Sequence, residues 1–126
     1  MCTKYYIEHV LSFGEYLRAV RERRQEGEAR FSLRQVAQRV EVEPSYLSKV
    51  ERGDVAPPSE ATIVRLAAEL DEDPDVLLAM AGKVSTDLQE IIRRRPKLFA
   101  ELLRELKKAP EHAILRLVRE VRDGDW

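Results

Sequence analysis

Apolar residues along this chain recur every three or four positions, and a proline or glycine breaks each such run within about four turns. That pattern restricts the chain to a series of short helices. No period-two alternation persists anywhere, and only five glycines in 126 residues argue against a loop-rich or all-β fold. Phe13, Leu17 and Val20 mark one helical face over residues 12–24. A polar loop, Gln25 to Arg30, follows and contains Gly27. Ser32-Leu33-Arg34-Gln35 reads as a capping box, opening a helix over 33–40 that buries Val36, Ala37 and Val40. After Glu41-Val42-Glu43, Pro44 takes the first position of a helix over 44–52. It turns Leu47 and Val50 inward and stops at Gly53. Pro57-Pro58-Ser59 supplies a loop and a cap for the stripe Ile63, Leu66, Ala67, Leu70. Asp73-Pro74 starts a fifth short helix that ends at Gly82.

Three more stripes fill the remainder. Leu88, Ile91 and Ile92 stop at Pro96; Leu98, Phe99, Leu102, Leu103 and Leu106 stop at Pro110; Ile114, Leu117, Val118 and Val121 close the series. Proline breaks a helix interior and is tolerated at its start, so the reading is three tail helices, at 86–94, 97–108 and 111–122. The expected organisation is an N-terminal extension over 1–11, a helical domain over 12–82 and a helical tail over 83–126.

Composition narrows the function classes. A single cysteine, Cys2, leaves no internal disulfide and no cysteine-based zinc site. His9 and His112 have no ligand partners at metal spacing, so a surface role is expected, and no metal or other cofactor. No Gly-rich phosphate loop, nucleophile motif or suitable pair of acids appears, so no catalytic residues are expected and the chain is not read as an enzyme. No apolar run approaches the length of a membrane span, and the first ten residues lack the apolar stretch of a signal peptide. The expectation is a cytoplasmic protein with no membrane partner.

Net charge is −1, and its distribution says more. Residues 1–82 hold 11 Lys/Arg against 15 Asp/Glu, and residues 83–126 hold 11 against 8. Within 15–52 the count is 9 against 7, a weakly basic stretch. Arg93-Arg94-Arg95 reads as a solvated helix end, where cations are favoured.

Two short helices joined by a tight turn have the geometry of a DNA-reading helix-turn-helix. In that geometry the second helix lies in the major groove, its N-terminal residues nearest the base edges. Ser45, Tyr46, Ser48, Lys49 and Arg52 are polar or flexible where such a helix needs outward side chains. Leu33-Arg34-Gln35-Val36-Ala37-Gln38-Arg39-Val40 and Ser45-Tyr46-Leu47-Ser48-Lys49-Val50-Glu51-Arg52-Gly53 resemble the Xre or phage-repressor-like (Cro-type) family of five-helix regulators. Pro58-Ser59 and Leu66-Ala67-Ala68-Glu69-Leu70 extend the similarity, which covers about residues 13–82. The resemblance implies that Ser45 and Lys49 face bases and that Tyr46, Ser48 and Arg52 lie near bases or phosphates; Arg34 is expected in the same DNA-binding set. It also implies a structural ion pair between Glu51 and Arg21.

The sequence departs from the family's pattern at Glu41, where glycine is frequent, at Glu43, where a short capping residue is common, and at Pro44, which replaces a potential base reader. Fewer direct base contacts leave room for shape and water-mediated readout. The loop Gln25 to Arg30 is longer than the family's, and Tyr5, Tyr6 and Ile7 precede the family's usual start, either as a packed arm or as a disordered extension.

The tail resembles the helical dimerisation tails of such regulators. Leu88, Ile91, Ile92, Leu98, Phe99, Leu102, Leu106, Ile114, Leu117 and Val121 are its expected dimerisation residues. The expected partners are a double-stranded DNA operator and a second copy of the chain, in the role of a transcriptional repressor. The alternative is an antitoxin-type autoregulator whose tail binds a protein partner.

Overall fold

The computed structural model describes residues 11–126. Cys2, Tyr5, Tyr6, Ile7 and His9 lie outside the described residues. Among those described the chain is all α, with no strand, and it divides into a first unit ending at Ser85 and a second running from Thr86 to Trp126.

The first unit holds five helices: α1 (Phe13–Gln25), α2 (Leu33–Arg39), α3 (Pro44–Arg52), α4 (Glu60–Leu70) and α5 (Pro74–Met80). Each starts at a residue suited to the task. Ser12, Ser32 and Ser59 accept hydrogen bonds from the backbone N–H of Glu15, Gln35 and Thr62, at 3.2, 3.3 and 3.4 Å. α3 and α5 open on Pro44 and Pro74, whose missing N–H costs nothing in a first turn. Phe13, Leu17 and Val20 of α1 join Val36, Ala37, Val40, Leu47, Val50, Ile63, Leu66, Leu70, Leu77 and Leu78 in one core. α3 packs against both α1 and α2, and α5 against α4.

Three features of this unit have no periodic signal. The expected loop after α1 contains a 3₁₀ turn, Ala29–Phe31, which buries Phe31. The guanidinium carbons of Arg30, Arg39 and Arg24 stand 5.0, 5.7 and 5.9 Å from that ring's centroid. Gly14 lies where α1 meets α3; a Cβ there would sit 2.3 Å from the Val50 carbonyl oxygen and 2.7 Å from that of Glu51. The unit also extends past Gly82: the Lys83 N–H donates to the Leu78 carbonyl at 2.9 Å, and its ammonium to the Pro58 carbonyl at 2.8 Å.

The second unit holds α6 (Thr86–Arg94), α7 (Pro96–Lys108) and α8 (Glu111–Asp123). Pro96 takes the first position of α7 and Pro110 precedes α8. The Trp126 indole N–H donates to the Val121 carbonyl at 3.0 Å, closing the end of α8. No residue of these three helices is buried. Ile92, Phe99, Leu106, Ile114 and Leu117 are half-buried, while Leu88, Ile91, Leu98, Leu102 and Val121 are exposed.

Candidate nucleic-acid interface

α2 and α3 are joined through Val40, Glu41, Val42 and Glu43. Glu41 adopts φ 62°, the left-handed region that glycine enters freely and other residues enter at a cost. That conformation lets the Glu41 N–H reach the Gln38 carbonyl (3.2 Å) and the Val42 N–H the Ala37 carbonyl (3.0 Å), so the turn satisfies the end of α2. Arg65 of α4 adds a third closure, donating from Nε to the Val40 carbonyl at 3.3 Å. The Glu43 side chain makes no capping bond. The entry of α3 is set instead by Pro44 and by the inward pull of Leu47 and Val50, exposed by only 1 and 2%.

The outward side of α3 is ordered by the same periodicity. Ser45, Lys49 and Arg52 are all exposed. At about 100° per residue they fall within about 60° of one another on the helix surface. Tyr46 and Ser48 stand to either side of that stripe and are half-buried, Tyr46 because its ring packs on the core. Arg34 is exposed on the first turn of α2. The DNA-facing residues expected from the sequence thus separate into an exposed row of three, two flanking side chains and one arginine on the preceding helix.

A buried ion pair holds α3 against α1. Arg21 Nε and Nη2 lie 2.7 and 3.0 Å from the two Glu51 carboxylate oxygens, and both residues are 5% exposed. Arg21 Nη1 also donates to the Gln25 amide oxygen at 3.1 Å and to the Phe31 carbonyl at 3.2 Å. This bidentate geometry uses both carboxylate oxygens and leaves no buried side-chain polar atom unsatisfied among the described residues. Arg39 of α2 is tied to Glu69 of α4 at 2.6 Å, a second inter-helix link that the sequence pattern does not reveal.

Charge around the row is nearly balanced. Arg34, Lys49 and Arg52 are exposed, and so are Glu41, Glu43 and Asp54. Such a face offers little general attraction to a polyanion. The dimerisation residues expected from the sequence all lie in the second unit, on α6, α7 and α8, away in sequence from this face.

A family model described as a helix-turn-helix domain matches residues 12–80. No curated protein matches the chain, and no solved structure does.

Proposed function

Because the chain belongs to the helix-turn-helix domain family over residues 12–80, we propose that it is a sequence-specific regulator of transcription of the Xre type. In this reading it represses, acts in the cytoplasm with the chromosome, reads the major groove of double-stranded DNA with α3, and performs no catalysis. One observation carries the reading: Ser45, Lys49 and Arg52 form an exposed polar row on a helix whose opposite face is locked by Leu47, Val50 and the Arg21–Glu51 pair. A rigid helix with one exposed polar face suits direct readout, since its side chains meet base edges without first ordering the backbone.

We also propose that the tail makes the regulator a homodimer. α6, α7 and α8 span 9, 13 and 13 residues. Isolated helices of that length are marginal in water. Leu88, Ile91, Leu98, Leu102, Leu103, Val118 and Val121 remain 38–62% exposed. Covering each would recover about 1 kcal/mol, or ~14 kcal/mol for two copies. Association costs about 4–15 kcal/mol, so a two-fold interface of this size is favourable or close to balanced. A dimer would present two copies of α3 to successive major grooves, about 34 Å apart.

Selection of bound duplexes from a random pool tests the first claim, and sedimentation of the full chain and of a chain ending at Ser85 tests the second. The expected results are a two-fold symmetric site with half-sites about one helical turn apart, a dimeric full chain and a monomeric fragment. Failure to enrich any site would overturn the DNA reading. Monomers in both samples would overturn the tail dimer and favour the antitoxin-type alternative, in which another protein covers the tail.

A further inference from the structure

Arg52 is the last member of the exposed row, and its guanidinium is already engaged. Its Nε lies 3.0 Å from a carboxylate oxygen of Asp54. The chain brings that carboxylate there by backbone geometry. Gly53 ends α3 in the left-handed conformation, φ 77°. The Asp54 N–H then returns to the Lys49 carbonyl at 2.9 Å, which fixes Asp54 beside Arg52. The two side chains are 54 and 55% exposed, in contrast to the 7 and 3% of Arg21 and Glu51. An exposed pair of this kind contributes little to folding. It lies at the C-terminal end of the reading helix, the end farther from the base edges when the N-terminal residues enter the groove.

We propose that Asp54 is an internal stand-in for a DNA phosphate. It occupies the Arg52 guanidinium in the free protein, gives way to a phosphodiester on binding, and lowers affinity for every duplex alike. A carboxylate and a phosphate offer an arginine the same acceptor geometry, so binding exchanges one for the other. The displaced carboxylate stays beside the backbone and repels the like-charged DNA, and because added salt screens that repulsion it opposes part of the salt dependence that the contacted phosphate contributes. Glu41 and Glu43 are exposed as well, and the lowered general affinity keeps the regulator from accumulating on DNA that lacks its site while leaving the ratio of specific to non-specific affinity unchanged. The inference rests on the DNA-binding reading above and deepens it.

The test uses the full chain and its D54N, R52Q and double variants. Affinity is measured by fluorescence anisotropy over a series of salt concentrations, on a mixed-sequence synthetic duplex and on the duplex returned by selection. Both side chains are exposed, so all four proteins should melt together. D54N should tighten both duplexes by the same factor, up to about fivefold. It should also steepen the dependence of log K on log salt by up to about 0.9, the contribution of one phosphate. R52Q should weaken both duplexes, and D54N should then have little effect in its background. Unchanged or weaker binding by D54N overturns the proposal while leaving the DNA reading intact, and so does an equal gain in the R52Q background, the mark of a general field effect. Loss confined to the selected duplex in R52Q would make Arg52 a base reader and overturn it as well. A wild-type chain that binds neither duplex defeats the DNA reading and this proposal together.

Discussion

Glu51→Ala strikes the buried ion pair that helps hold α3 against α1. It strands the guanidinium of Arg21, a residue 5% exposed in the native fold, with the Gln25 amide and the Phe31 carbonyl as its remaining partners. Removing one member of a buried pair costs roughly 3–5 kcal/mol. A unit of about 75 residues has a total stability on the order of 4–11 kcal/mol. The variant therefore surrenders about a quarter of that stability or more. At about 4–8 °C per kcal/mol for a domain of this size, melting should fall by at least ~12 °C. Urea unfolding of the chain ending at Ser85, followed by far-ultraviolet circular dichroism, reads the loss directly. A companion variant, Arg21→Met with Glu51→Leu, removes both charges together and should unfold well above Glu51→Ala, because the main cost of the single change is the stranded cation. An unfolding midpoint for Glu51→Ala equal to that of the wild type would refute the argument, and so would a double variant no more stable than the single one.

Gly14→Ala should destabilise the same fragment by about 1–3 kcal/mol in urea, since the added methyl meets the backbone oxygens of Val50 and Glu51, which no rotamer change can move. Glu41→Gly should stabilise it by up to about 1 kcal/mol, the relief of φ 62° being partly offset by greater chain entropy in the unfolded state. Lys49→Ala should cost ~1–3 kcal/mol on the selected duplex and much less on a scrambled one; equal losses on both would make Lys49 a phosphate contact. Leu102→Asp should turn a dimer into a monomer on sedimentation without changing the melting of the first unit, because it would place an unpaired charge in the proposed tail interface.

Helix positions were legible in the sequence because they depend on local chemistry. Serine caps act over three residues, apolar stripes repeat over three or four, and Pro44, Gly53 and Pro96 mark boundaries through their own backbone limits. The same spacing reads Ser45, Tyr46, Ser48, Lys49 and Arg52 as outward on α3, and the structure narrows the exposed row to Ser45, Lys49 and Arg52 by half-burying the other two. The Arg21–Glu51 pairing spans 30 positions and came from the family resemblance, not from periodicity.

Tertiary structure alone decided the rest. Gly14 gives no periodic signal, yet the approach of α3 to α1 leaves its Cβ no space. Phe31 falls in a polar stretch and reaches the core through a 3₁₀ turn ringed by Arg24, Arg30 and Arg39. Arg65 looks like a solvated arginine of α4 until its Nε is found closing α2 at the Val40 carbonyl. Sequence spacing encodes what one turn of helix does to the next, while contacts such as these arise only when segments distant along the chain are pressed together by the burial of Leu17, Val36, Leu47 and Ile63 in a common core.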